Sequence, residues 1–325
     1  MALALLGIFG NGENDLRAIG RLVFGIFALW GVSFLGFVLI YYSQGSVAFA
    51  NVSQGMSPAM RFQIEENLNL HRPLLDQYQT WLFQVLRGDF STSLMSGESV
   101  SSIIAERIPY TLILGGSAFV LLIFFSIILA FLSLWSSSLD RCIAFLGMGF
   151  VSLPTFSLGL LLILFLSVKW SVFPSSGASD IGMEDQISNR LLHLALPVMT
   201  LVISHLGIFT QFVRTTLIDA LNQEFIQFGL ARGLSLFYIY MHWVLKYALS
   251  PIVAYFSASF VSFMMGTYVV EGVFSYGGIG QTLINGLIFK DYPLVLAILL
   301  MSFASVLVVN FLADCLCAKL NQGRV

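Results

Sequence analysis

Residues 108–139 pass 32 positions without an Asp, Glu, Lys or Arg, and no other feature restricts the fold as tightly. A helix rises about 1.5 Å per residue and needs roughly 20 apolar residues to cross about 30 Å of hydrocarbon, so this run spans a bilayer with length left for tilt. Charge is also absent from 22–44 and 142–168, and further apolar stretches follow at about 191–213, 247–270 and 294–313. In lipid every backbone N–H and C=O must find its partner inside the protein, and for segments of this length the helix provides one for each group. The chain therefore reads as an all-α membrane protein of six transmembrane helices. Composition agrees: 58% of residues are hydrophobic and 10% charged, against about half and about a quarter in soluble domains. The first run exceeds a signal-peptide core and no small-x-small cleavage site closes it, so it is expected to stay as a span.

The polar segments divide the chain. Residues 1–21 precede the first span at 22–44, and 45–107 form the one stretch long enough for soluble structure, with short helices expected at 58–69 and 74–87. Residues 108–315 hold the remaining five spans, and 316–325 are a tail. Asp140 and Arg141 read as a tight turn between the second and third spans, 169–190 as a loop, and the glycine-rich 271–293 as a re-entrant or surface turn. Orientation follows from the basic residues. Leaving out 45–107, since long loops translocate largely regardless of charge, one side collects 8 of them and the other 3. The richer side is expected to face the cytoplasm, and with it both termini and the segment 214–246.

That segment contains a polar island. Residues 221–248 read LNQEFIQFGLARGLSLFYIYMHWVLKYA, with Glu224, Gln227, Arg232, His242 and Lys246 in a helix-compatible pattern interrupted by Gly229 and Gly233. The small residues Gly229, Ala231 and Gly233 leave one low face, on which a soluble partner is expected to dock.

Reactive chemistry is not legible. There is no G-x-x-x-x-G-K-[ST], and GGIGQ at 277–281 leads to no lysine, so the chain carries no P-loop for ATP. No H-E-x-x-H, G-x-S-x-G or serine–histidine–carboxylate cluster stands out; no catalytic residue is expected, and the chain reads as a non-enzyme. Cys142, Cys315 and Cys317 lack zinc spacing and read as reduced bystanders, leaving no metal or cofactor site. A net charge of -2 supplies no basic field for nucleic acid. The rival from another class is an ion-coupled secondary transporter of small solutes, which keeps an ionisable residue inside a span, where charge is costly. Only His193 and His205 fall in or beside a span, the fourth. His205 is the candidate for a translocation path, against the simpler reading of a satisfied polar residue facing the bundle. Glu271 and Asp291 flank the 271–293 turn and are candidates for contact with a binding protein, against the simpler reading of local caps.

Several separated stretches carry a family resemblance. LRGDFSTS at 86–93, Leu139-Asp140-Arg141, SLPTFSLGLLLILF at 152–165, VEGVFSYGGIGQTL at 270–283 and KDYPLV at 290–295, followed by Asn310, Leu312 and Asp314, resemble in this order the dipeptide, oligopeptide and nickel permeases of binding-protein-dependent ABC importers. The likeness runs over nearly the whole chain and implies the type I (MetI-like) permease fold. The island resembles the family's cytoplasmic coupling motif, a coupling helix near 221–240 carried here by Glu224, Phe228, Gly229, Ala231, Arg232, Gly233 and Leu234. Phe225, Gln227 and Phe228 are bulkier than the family's usual residues there. The resemblance implies that this helix docks in a groove of a nucleotide-binding subunit. It also implies a second, homologous permease subunit completing the pore, two ATP-binding subunits that hold the nucleotide, and a periplasmic or extracellular substrate-binding protein. The implied cargo is small peptides or nickel, as the ion or a chelate, and the implied place is the bacterial inner membrane.

Overall fold

The computed structural model describes residues 12–43 and 73–322. Helices take up nearly all of them: α1 Gly12–Ser43, α2 Leu74–Leu86, α3 Val100–Trp135, α4 Ser137–Val151, α5 Thr155–Leu162, α6 Ile187–Leu221, α7 Glu224–Ala231, α8 Leu236–Ile239, α9 Leu245–Ala258, α10 Phe260–Phe274, α11 Ile279–Ile288 and α12 Tyr292–Gln322. Wider π-helical turns at Ile163–Lys169 and Tyr240–Val244 extend α5 and join α8 to α9.

Helices α3, α6 and α12 are each long and apolar enough to cross a bilayer alone. Two bent pairs add broken spans, α4 with α5 at 99° and the α8–α9 rod with α10 at 48°. With α1, apolar over Gly25–Leu39, they account for the six spans.

The third of these departs from expectation, for 142–168 is not straight. The break falls at Ser152, Leu153 and Pro154, because the proline ring disfavours a helical residue before it and the Ser152 hydroxyl turns back onto the Met148 carbonyl at 2.8 Å. Past the bend α5 continues along α6: a Cβ on Gly159 would lie 3.5 Å from the Thr200 methyl, so the pair remains one span. Asp140 and Arg141 do not form a turn. Ser136 caps α4, its hydroxyl accepting from the Ser138 N–H at 3.3 Å, and both charged residues lie within the helix. The fifth span starts near 236 rather than 247, and 271–293 contains the helix α11 as well as turns. The helix expected at 74–87 is α2; the one expected at 58–69 lies outside the described residues.

The helices gather into two compact units. One comprises the described residues up to Ala18, Pro109–Gln281 and the described residues from Val308 onward, around a core that includes Leu114, Leu122, Leu196, Leu201, Leu217, Phe263 and Phe274. Helix α6 runs through this core. It pairs with α4 in antiparallel register: a Cβ on Gly147 would lie 2.8 Å from the Gly207 Cα, and Asp140, seven residues earlier on α4, meets Arg214, seven later on α6. Paired glycines allow backbones to touch, which is how helices pack closely where lipid removes any hydrophobic drive between them. The other unit comprises the described parts of Ile19–Ile108 and Thr282–Leu307, centred on Phe37, Tyr78 and Leu296.

Candidate functional site

The polar island folds as a short helix held at both ends. Chain leaving α6 caps at Asn222, α7 begins at Glu224, and its end is closed by the Gly233 N–H donating to the Leu230 carbonyl at 2.9 Å and the Leu234 N–H to the Gly229 carbonyl at 3.2 Å. This two-bond closure needs a left-handed residue at its turn, and Gly233 has φ +76°. Ser235 then caps α8, accepting from the Tyr238 N–H at 3.3 Å. The glycine at 233 is therefore required by the backbone, and open space surrounds it.

The inner face of α7 is fixed by packing. Ile226 and Gly229 are buried, and the Trp243 indole packs against Gly229, where an added Cβ would come within 3.0 Å of Cη2 and closer still to Cζ3. Phe225 stacks at a tilt on the same side, 5.6 Å from the Tyr247 ring and 6.3 Å from Trp243. The expected low face formed by Gly229, Ala231 and Gly233 is corrected on this point. Helical spacing puts Gly229 on the opposite side from Ala231, and its missing side chain admits the chain's own tryptophan.

What α7 presents outward is Glu224, Phe228, Ala231, Arg232 and Gly233, with Leu234 half-buried. Phe228 is 58% exposed, and the Arg232 guanidinium sits 4.8 Å above its ring. Leu236, Phe237 and Tyr238 continue the exposed surface onto α8. Aromatic residues and arginine, the types enriched at protein interfaces, thus share one exposed surface.

Arg214 ties the stem of α7 to the rest of its unit. Its Nη2 donates to Asp140 Oδ2 at 2.6 Å, and Nε lies 2.5 Å from Oδ1 as an ion-pair contact without a second hydrogen bond, each side chain being about a quarter exposed. Beside it opens a groove of about 830 Å³ between α4, α6 and α9. Gln211, Thr215 and Asp219 form one polar edge of the groove at four-residue spacing on α6, facing Met148, Tyr247 and Pro251. None of Arg214, Trp243 or this stripe was singled out from sequence. The stripe was legible as an i, i+4, i+8 polar row; the pairing of Arg214 with a residue 74 positions away was not.

His205 does not line the groove. Its Nδ1 lies 3.0 Å from the Leu201 carbonyl and 2.9 Å from the Ser204 hydroxyl, and its ring packs edge-on against Phe263 at 5.3 Å, over Gly266. Both partners belong to α6, so the ring is held back against its own helix. His193 is likewise occupied: Nδ1 faces the Ser176 and Gly177 carbonyls, and Nε2 lies 3.3 Å from Asp180.

Glu271 and Asp291 are corrected as binding-protein contacts, because both side chains are buried. Glu271 stands in the last turn of α10 and accepts backbone N–H groups from Gly280 at 2.6 Å and Gln281 at 3.3 Å, while Thr111 accepts from Ile279 at 2.8 Å. The carboxylate thus satisfies the start of α11 across a turn made left-handed by Ser275 and Gly277, and Gly278 leaves the room it fills. Next to it, burial and then the Glu271 charge push the Tyr276 hydroxyl up to about 12. Asp291 takes the Ser93 hydroxyl and the Leu94 N–H (3.1 Å), so the stretches LRGDFSTS and KDYPLV meet across 198 residues.

Residues 106–323 match the family described as binding-protein-dependent transport system inner membrane component. The chain belongs to that family. Among relatives of this permease, the oligopeptide transport system permease protein AppB of Bacillus subtilis is 32% identical over 92% of this chain and 96% of its own length. The metal-staphylopine import system permease protein CntB of Staphylococcus aureus is 30% identical over 89% of this chain and 92% of its own. The glutathione transport system permease protein GsiC of Escherichia coli is 27% identical over 94% and 97%. The permease is thus a multi-pass membrane protein of an ABC importer family; Asp291 joins two of the stretches that carry the family likeness, and Glu271 closes a turn within a third.

Proposed function

We propose that this permease forms one transmembrane half of an ATP-driven importer for small peptides or a chelated metal, nickel chelates among them. The observation that carries this reading is α7: a capped helix, locked from inside by Trp243, that turns Glu224, Phe228, Ala231, Arg232 and Gly233 outward. In the reading, this surface docks on an ATP-hydrolysing partner, two copies of which bind the nucleotide, and the permease itself holds no cofactor. A second, homologous permease completes the pore and a substrate-binding protein delivers cargo from the other side. The basic count of 8 against 3 supports placing α7 and both termini in the cytoplasm. Cargo class is supported by the names of the relatives, which specify oligopeptide, glutathione and metal-staphylopine.

In the mechanism, closure of the ATP-binding subunits moves α7, and α6 with the Arg214–Asp140 tie carries the movement to α4 and the groove wall. Nucleotide shifts the bundle between its two access states only by binding one of them better. Reconstitution of the permease with its partners tests the assignment. ATP-dependent uptake, together with crosslinking of cysteines at Phe228 or Arg232 to the ATPase, is the expected result. Uptake driven by an ion gradient in the absence of ATP would overturn it in favour of secondary transport.

A further inference from the structure

Helix α2 lies in the segment read from sequence as soluble, yet its position along α1 places it at membrane depth. Helices α1 and α12 pack antiparallel in register: a Cβ on Gly25 would lie 2.9 Å from Leu307 and one on Gly36 3.6 Å from Leu296, eleven residues apart on both helices. Tyr292, which opens α12 directly after Lys290 and Asp291, is therefore level with about residue 40 of α1. Ser33 sits seven residues below that level, about 10 Å at 1.5 Å per residue. The Tyr78 hydroxyl of α2 meets the Ser33 hydroxyl there at 2.8 Å, and Trp81 packs 5.8 Å from Phe37, one turn nearer the end of the span. Helix α2 thus meets α1 within about 10 Å of the level of Tyr292, the depth of the headgroup and acyl boundary.

The side chains of α2 sort by angle into three sectors at about 100° per residue. Gln77, Tyr78 and Val85 are buried against the protein. Asp76, Thr80 and Gln84 make a polar edge. Between these two lies an apolar edge left exposed among the described residues: Leu75 is 59%, Phe83 63% and Leu86 73% exposed, with Gln79 among them. A helix in water gains nothing from that third sector, whereas a helix lying in an interface needs all three.

We propose that α2 is an interfacial membrane helix, seating Leu75, Phe83 and Leu86 in the acyl chains of the leaflet beside the end of α1 and turning Asp76, Thr80 and Gln84 to water. It anchors the long segment between α1 and α3 to the bilayer surface beside the permease. The test uses the assembled transporter, with Cys142, Cys315 and Cys317 replaced, in phosphatidylethanolamine–phosphatidylglycerol liposomes. Single spin-labelled cysteines at 75, 83 and 86 and at 76, 80 and 84 are compared for collision with oxygen and with a water-soluble nickel chelate. Labels at the first three sites are expected to favour oxygen severalfold and those at the other three to favour the chelate, so that a variant failing to insert at one site is answered by its neighbours. Equal chelate access at all six sites would overturn the proposal. So would labels at 75, 83 and 86 that are shielded from the chelate only when the substrate-binding protein is added, since the occupant would then be a protein.

Discussion

Gly229→Ala isolates the packing that holds α7 in place. The new methyl carbon would lie 3.0 Å and 3.1 Å from Cη2 and Cε3 of Trp243, and closer to Cζ3, where carbon atoms rest at about 3.5–4.0 Å. The indole or the helix must retreat by roughly 1 Å. Overpacking of this kind costs about 1–3 kcal/mol, and the better helix propensity of alanine returns about 1 kcal/mol. The net penalty on the docked position of α7, about 0–2 kcal/mol, is small against the several kcal/mol that hold a folded chain, so the spans survive while the docking surface moves. Uptake in proteoliposomes and ATPase stimulation by the binding protein are expected to fall together, with a change in the Trp243 emission obtained by difference from a Trp243→Phe variant. Trimming the ring in a Gly229→Ala, Trp243→Leu double variant is expected to restore uptake in part. Gly233→Ala provides the control: nothing lies near its Cβ, but φ +76° costs an L-residue about 1–2 kcal/mol, so Trp243→Leu gives it no rescue. Wild-type uptake and unchanged emission for Gly229→Ala, or equal rescue of both variants, would refute the reasoning.

Removing the Arg214 side chain by Arg214→Ala is expected to cost about 1.5–3 kcal/mol, the range for hydrogen bonds to charged groups, and to lower Tm in detergent; the Arg214→Asp, Asp140→Arg exchange recovers part of it. Glu271→Ala strands the Gly280 and Gln281 N–H groups and destabilises by about 2–4 kcal/mol, whereas Glu271→Gln keeps one accepting oxygen and costs less, a ranking that thermal unfolding reads directly. With all native cysteines removed, a cysteine at the exposed Ser96 is expected to label from outside intact cells and one at Gln223 only after permeabilisation; the reverse pattern would invert the topology.

The spans were legible because lipid imposes one rule on every residue of a segment. A run such as 108–139, with no charge and no water to bond its backbone, has a single regular solution, and the helix α3 follows from it whatever its neighbours are. The island at 221–248 was legible for the complementary reason, since Glu224, Arg232 and Lys246 do not sit in hydrocarbon. Gly233 reads there as part of a low docking face, whereas its φ of +76° shows that the backbone itself demands the glycine. What the tertiary structure decided is which way side chains of ambiguous chemistry point. A carboxylate at the end of a span reads the same whether it greets a partner or satisfies backbone N–H groups, and only the arrival of α11 beside Glu271, and of Ser93 beside Asp291 from 198 residues away, assigns both to the second task. Gly229 faces Trp243 rather than a partner because the turn after α7 folds α8 and its π-helical extension back over it. The bend in the third span needed Pro154 acting together with Ser152, and the depth of α2 rests on Tyr78 reaching Ser33. Polarity and period act along the chain and can be read there; contacts between distant segments act across it, and those set the orientation of each face.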